Sequence, residues 1–154
     1  HDSALRDLIQ EMFSLMHMHA GIGLAGPQVA VEQRVLVCAI QGQQLCLTNP
    51  EIREAGQPGE FVEGCLSLPD VQISVTRPER IQVIGYDERG RKTRFGATGL
   101  WARVIQHELD HLNGVLICDR GRPPAQPCGP CSLALPTVLI EERKRQSQAS
   151  RSKK

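Results

Sequence analysis

Residues 100–112 have the sequence Leu-Trp-Ala-Arg-Val-Ile-Gln-His-Glu-Leu-Asp-His-Leu, which predicts a helix with metal-binding and catalytic side chains. Its apolar residues recur at helical spacing, at Leu100, Val104, Ile105 and Leu112. Residues four apart lie on one face of a helix, so His107 and His111 can reach one divalent metal ion. Glu108, about 100° round the helix from His107, is then placed beside the open coordination position as a general acid/base.

Before this helix, the pattern predicts one further helix and a set of strands. Apolar spacing indicates a helix over residues 3–18, and alternating or apolar runs indicate strands over 33–40, 43–48, 71–76, 80–86 and 92–97. Residues 20–28 are rich in glycine and are expected to be irregular. This order favours an α+β fold, with mostly antiparallel sheets around a central metal-binding helix.

The length of 154 residues corresponds to one domain and a tail. We expect a catalytic domain over 1–122, then a Pro-rich linker and basic tail over 123–154, with a possible helix at 133–146. Residues 1–142 carry 12 basic and 17 acidic side chains, a net charge of −5, whereas 143–154 carry six basic ones. The tail therefore suggests an anionic partner, and a solvated terminus is the alternative.

Composition excludes several classes of protein. The longest apolar run, Val35 to Ile40, is far short of the roughly 20 residues of a membrane helix, so we predict no membrane association. Aromatic residues make up only 3%, which disfavours a stacking platform for single-stranded nucleic acid, and we predict no specific DNA binding. The first residue is His1 rather than Met, so we expect a fragment or a processed product.

Two histidines leave a third metal ligand to be found. Cys65 is the best candidate, because it lies in a polar, Gly-flanked segment that we predict to be a turn. A thiolate, two histidines and one open position make a catalytic metal geometry. Cys38 and Cys46 lie in strand-like runs and are predicted to be buried free thiols. Cys128-Gly-Pro-Cys131 is interpreted as an incidental pair of cysteines in a loop.

Two other functions compete with a cysteine-ligated hydrolase. An HExxH-type zinc metallopeptidase would take its third ligand downstream, but Ile117 stands where the extended motif has histidine. A non-enzymatic, metal-stabilised binding module would need a closed site with four protein ligands, and three are evident here.

Three motifs in order resemble the peptide deformylase family. They are Gly21-Ile-Gly-Leu-Ala-Gly-Pro-Gln28, Glu63-Gly-Cys-Leu-Ser67 and Gln106-His-Glu-Leu-Asp-His111. The resemblance implies a metal-dependent hydrolase that removes the N-formyl group from the formyl-methionine of nascent polypeptides. It also implies that Cys65, His107 and His111 bind the metal and that a metal-bound water is the nucleophile, with Glu108 as general acid/base.

The resemblance extends to the groups around the reacting carbonyl. It implies that the Gln28 side-chain amide and the Leu66 backbone N–H stabilise the oxyanion, although Gln28 could instead brace its loop. The substrate backbone is expected to pair as an extended strand with Ile22, Gly23 and Gly64. The methionine side chain is expected to lie against Ile22, Leu100, Val104 and the stem of Arg103.

Three charged residues lie in or near these motifs. Arg103 could meet Glu63 or a substrate carbonyl, or lie on the surface with only its stem buried. Glu63 is expected to pair with Arg77 and brace the cysteine segment, and it is also predicted to be a substrate-binding residue. Asp110 could orient a ligand histidine or make a plain helix salt bridge, and both alternatives stay open.

The resemblance also implies a metal, a partner and a location. Fe(II) is the ion implied for the cell, while the ligand types suit Zn, Ni or Co as well. The partners implied are N-formylmethionyl nascent peptides and, through residues 143–154, the ribosome. The location implied is a bacterial-type cytoplasm, or the stroma or matrix of an organelle if a transit peptide has been removed.

Overall fold

The computed structural model describes residues 3–65 and 68–121. The helices are α1 (Ser3–Met18), α2 (Gly99–Leu112) and the short α3 (Ile117–Arg120). The strands are β1 (Gly23–Ala25), β2 (Val35–Ile40), β3 (Gln43–Ala55), β4 (Pro58–Cys65), β5 (Leu68–Pro78), β6 (Arg80–Tyr86) and β7 (Lys92–Thr98). A 3-10 turn, Gly26–Val29, follows β1.

The described strands form two antiparallel sheets that flank α2. The larger sheet has the order β1-β2-β3-β6-β7, and β4 pairs with β5 in a separate ribbon. Helix α2 contacts β1, β2 and β7 of the larger sheet and also β5 of the ribbon. The α+β fold with mostly antiparallel sheets around a central helix is therefore confirmed.

Strand β2 is buried on both faces, and this places one helix on each side of it. Val35 and Val37 belong to the cluster formed with α1, which also contains Met12 and Met16. Leu36, Cys38 and Ile40 belong instead to the cluster that contains Val104 and Ile105 of α2. Because side chains alternate along a strand, one short apolar run fixes both helices against the same sheet.

Most predicted elements are confirmed, but the Gly-rich segments were predicted wrongly. Residues 20–28 were expected to be irregular, yet Gly23–Ala25 pairs with β2 as an edge strand. The sequence pattern does not predict β4, because the strand begins with Pro58-Gly59, a dipeptide typical of turns. Cys65 ends this strand at a register shift, rather than lying in a turn.

Strand β3 also runs further than the prediction of 43–48. Pro50 is a residue type that commonly interrupts a strand, but this strand continues to Ala55. The register of β3 against β6 shifts between Thr48 and Glu51. A proline is accommodated at such an irregularity because no regular ladder hydrogen bond is needed there.

Several predictions lie outside the described residues. These are the helix at 133–146, the Cys128–Cys131 pair, the basic segment 143–154 and the Leu66 backbone N–H. Among the described helices, none has the length and apolar character needed to cross a membrane.

Candidate metal centre

Cys65, His107 and His111 come together beside α2. Each offers one ligand atom, and these atoms lie within 4.8 Å of one another. Cys65 Sγ lies 3.2 Å from His111 Nε2, and the two imidazole rings meet edge-on with centroids 5.1 Å apart. A thiol and two imidazoles are ligands that suit a divalent transition metal, so the chemistry of this donor set fits a metal ion.

Glu63 orients His107 from the side away from the cysteine. The Nδ1 of His107 lies 2.9 Å from Glu63 Oε1, which leaves the other ring nitrogen, Nε2, for a metal. Arg77 Nε donates to Glu63 Oε2 at 2.7 Å, and Arg77 Nη2 donates to Oε1 at 3.0 Å, as the sequence predicted. Burial raises the pKa of Glu63, but hydrogen bonds with His107 and Arg77 outweigh it and lower that pKa below its usual value.

Of the two roles considered for Asp110, the structure shows salt bridges, which join α2 to other elements rather than running along the helix. Its Oδ2 accepts a hydrogen bond from Arg77 Nη1 at 2.8 Å, and Arg120 donates to both carboxylate oxygens. The partners lie on β5 and α3, so Asp110 ties α2 to both elements. Side chains of alternating charge therefore run from Glu63 through Arg77 and Asp110 to Arg120.

Glu108 is buried beside this cluster and lies close to β1. Only 4% of it is exposed, and its Oε2 has no hydrogen-bond partner among the described residues. Burial raises the pKa of Glu108 to about 7, against the opposing effect of His107 and Arg77. A Cβ on Gly23 would lie 2.6 Å from Glu108 Oε1, so any side chain at this position would force Glu108 or β1 to shift.

The two histidines differ in their electrostatic surroundings. Burial, together with the charges of His107 and Arg77, lowers the pKa of His111 to about 3. Burial also lowers the pKa of His107, but contacts with Cys65 and Glu63 raise it overall to about 10. Neutral imidazole is the form that binds a metal, so binding at His107 is coupled to loss of a proton.

Gln28 both braces its loop and reaches the cluster. Its Oε1 accepts the Ala25 backbone N–H at 2.9 Å, and its Nε2 lies 3.7 Å from Cys65 Sγ. The side chain is 1% exposed, so these contacts fix the direction of the amide. The two roles considered for Gln28 are therefore compatible in one conformation.

A cavity of about 470 Å³ opens beside the cluster. All seven residues predicted to bind substrate line it: Ile22, Gly23, Glu63, Gly64, Leu100, Arg103 and Val104. Cys65, His107 and Glu108 also line this cavity. The sequence missed Val62, which is 64% exposed at its edge, because β4 was not predicted and its alternating faces could not be assigned.

Arg103 has a partner that the sequence did not identify. Its guanidinium carbon lies 3.0 Å from the centroid of the Phe61 ring, a cation–π contact. Among residues 3–65 and 68–121, Arg103 makes no ion pair with Glu63.

Comparison with known proteins identifies relatives across most of the described chain. A family model described as polypeptide deformylase matches residues 1–126. The peptide deformylase of Picosynechococcus sp. is 46% identical over 125 residues, which cover 77% of this chain and 67% of that relative. A peptide deformylase of Prochlorococcus marinus is 43% identical over 125 residues, covering 77% of this chain and 62% of the relative.

Solved structures agree with the sequence relatives. The peptide deformylase from Thermotoga maritima superposes with a TM-score of 0.77 at 41% identity, covering 79% of this chain and 84% of the other. A peptide deformylase from Synechococcus elongatus, solved in complex with actinonin, gives a TM-score of 0.75 at 40% identity, covering 93% of this chain and 72% of the other.

Proposed function

The chain belongs to the peptide deformylase family, and we propose that it removes the N-formyl group from the formyl-methionine of nascent polypeptides. The observation that carries this proposal is the buried Glu108 oxygen, without a hydrogen-bond partner among the described residues, beside a Cys/His/His cluster and at a cavity that is partly lined by apolar side chains. Hydrolysis of a formamide needs an activated water, a polarised carbonyl and a proton for the leaving amine, and this constellation can supply all three.

We infer that Cys65, His107 and His111 hold the metal ion. When bound, such an ion polarises a carbonyl and lowers the pKa of water toward about 7. We propose Fe(II) as the ion in the cell, with Zn, Ni or Co as replacements that suit the same ligands. The Glu63 carboxylate keeps the His107 ring oriented, and Arg77 keeps that carboxylate charged.

The remaining steps fall to side chains at the cavity. Glu108 takes a proton from the attacking water and delivers it to the nitrogen of the leaving amine, and its pKa of about 7 suits both directions of transfer. The Gln28 amide donates to the developing oxyanion, and its fixed direction limits the reorganisation needed. The Leu66 backbone N–H is proposed as the second donor.

The peptide is proposed to bind as an added strand. β1 is an edge strand of the larger sheet, and β4 pairs with β5 in the ribbon, so main-chain groups of Gly23 and Gly64 can meet an extended backbone. The methionine side chain then lies against Ile22, Leu100, Val104 and the stem of Arg103. Relatives from cyanobacteria and other bacteria support a bacterial-type cytoplasmic setting, with an organelle stroma or matrix as the alternative.

Product analysis tests this proposal against a metallopeptidase. The metal-loaded chain is incubated with a short formyl-methionyl peptide and, separately, with the same peptide without the formyl group. We expect one formate and one free amino terminus per substrate consumed, with all internal peptide bonds intact. Internal fragments from both peptides, without formate, would instead identify a peptidase.

A further inference from the structure

The short helix α3 is packed against the part of the fold that carries the metal cluster. Ile117 is buried and packs with Ile73 and Val75 of β5. Cys65 contacts the same apolar cluster. A Cβ on Gly121, the residue that follows α3, would overlap the Ile73 side chain, so the end of α3 lies directly against β5. The position of α3 is therefore fixed relative to the β4–β5 ribbon.

From α3, Arg120 reaches a buried carboxylate with two hydrogen bonds. Its Nη2 donates to Asp110 Oδ1 at 2.8 Å, and its Nε donates to Oδ2 of the same carboxylate. The Asp110 side chain is 8% exposed, whereas that of Arg120 is 47% exposed. A bidentate contact between a guanidinium and a carboxylate is stronger and more directional than an ordinary surface ion pair. Arg120 thus acts on the interior although its own side chain is half in solvent.

Arg120 supplies one of two cations that balance two buried carboxylates. Arg77 donates to Asp110 from Nη1 and to Glu63 from Nε and Nη2, so one buried guanidinium is shared between both acids. Glu63 also contacts Nδ1 of His107. Without Arg120, the Asp110 carboxylate would be left with Arg77 as its cation among the described residues. We expect Arg77 then to shift toward Asp110, which weakens its hold on Glu63.

We propose that Arg120 is a positioning residue that keeps the metal ion bound from outside the site. By balancing the charge of Asp110, it allows Arg77 to stay with Glu63. Glu63 then keeps the His107 imidazole in the orientation that leaves Nε2 for the metal. This inference rests on the metal centre of the proposed function. Arg120 is not among the residues that line the cavity of about 470 Å³, so it acts on the ion rather than on the peptide.

The loss of this contact should show in how long the ion stays bound. The outer partners of metal-ligating histidines typically change metal affinity by about 10- to 100-fold. Arg120 acts through Asp110, Arg77 and Glu63, so we expect the lower end of this range, about tenfold faster release of the ion from Arg120→Gln. Because the Arg120 side chain is half exposed, glutamine leaves no cavity in the core.

The experiment measures the release of Co(II), whose absorption at a thiolate site reports both the ion and its ligand geometry. Each chain is loaded anaerobically with one equivalent of Co(II) and mixed with excess EDTA. Arg120→Gln should lose the ion about tenfold faster than the wild type, with a shifted Co(II) spectrum. Arg120→Lys keeps the charge but loses the bidentate fork, and it should stay within about threefold of the wild type. The matched control is Arg91→Gln, because Arg91 also donates to a carboxylate, Asp87, but lies in the turn between β6 and β7.

A second background tests the route through the carboxylate. Asp110→Asn removes the charge that Arg120 balances, so Arg120→Gln should change the release rate by less than about twofold in that background. The KM of Co(II)-loaded Arg120→Gln for a formyl-methionyl peptide should equal that of the wild type, because Arg120 does not line the cavity. A general loosening of the fold would instead change KM and the release rate together.

The outcomes separate this inference from the proposed function. If the wild type binds Co(II) but Arg120→Gln releases it at the wild-type rate, or Arg120→Lys releases it as fast as Arg120→Gln, the positioning role is refuted and the proposed function stands. Equal acceleration in the Asp110→Asn background would refute the route through Asp110, and the lysine variant still decides the question if that background folds poorly. If the wild type binds no Co(II), the proposed metal centre fails, and this inference fails with it.

Discussion

Replacement of Arg77 by methionine tests whether buried charge holds the metal cluster in place. Arg77 is 4% exposed and donates hydrogen bonds to Glu63 at 2.7 and 3.0 Å and to Asp110 at 2.8 Å. Methionine keeps an unbranched stem but leaves both buried carboxylates without that cation. Removal of one partner of a buried ion pair costs about 3–5 kcal/mol. In the variant, Glu63 still has its hydrogen bond with His107, and Asp110 still has its hydrogen bonds with Arg120. We therefore expect the loss of stability to lie at the lower end of this range, about 3 kcal/mol.

Urea unfolding measures this change. With a slope of about 2 kcal/mol/M, the midpoint should fall by about 1.5 M, and the melting temperature should fall by roughly 10 °C. The matched control is Arg91→Met, because Arg91 also pairs with a carboxylate, Asp87, at 2.9 Å but is 67% exposed. Because solvent screens that exposed pair, Arg91→Met should lower the midpoint far less than Arg77→Met does. If Arg77→Met lowers the urea midpoint no more than Arg91→Met does, the ion-pair argument is wrong.

Three further predictions concern catalysis and the tail. Glu108→Gln keeps the side-chain shape, but its amide cannot accept a proton. Metal content, measured by elemental analysis, should stay unchanged while kcat falls by a factor of about 10²–10⁴. A variant with the wild-type kcat would show that Glu108 does not take part in the reaction. Gly23→Ala places a Cβ 2.6 Å from Glu108 Oε1 and 2.9 Å from a Val104 methyl, so formate release should fall at least tenfold, and full activity would show that β1 can move aside. Deletion of 143–154 should leave peptide hydrolysis intact and reduce co-sedimentation with ribosomes at low salt; equal co-sedimentation would identify a solvated terminus.

The sequence predicts the metal helix well because its information is local. The spacing of His107 and His111 and the flanking apolar residues specify one face of α2 without reference to any other element. Strand β2 was also evident, because a continuous apolar run is typical of a strand buried on both faces. The three motifs then pointed to Cys65 and Gln28, which no periodicity identifies.

The features missed in the sequence depend on pairing between distant segments. Gly23–Ala25 is a strand only because β2 offers it an edge, and a side chain in place of its glycine would force Glu108 or β1 to shift. The contact of Arg103 with Phe61 joins residues 42 positions apart on different elements. Similarly, the partners of Asp110 lie on β5 and α3, so neither helical spacing nor motif position could choose them.

Formate release as a function of bound metal tests the central claim most directly. The chain is stripped of metal, reloaded anaerobically with Fe(II) in steps, and assayed on a formyl-methionyl peptide, with Cys65→Ser treated in parallel. Activity should rise in proportion to bound metal and level off at one ion per chain, while Cys65→Ser should neither retain the ion nor release formate. Equal formate release by the stripped chain, or full metal content and activity in Cys65→Ser, would contradict a Cys/His/His metal centre as the site of deformylation.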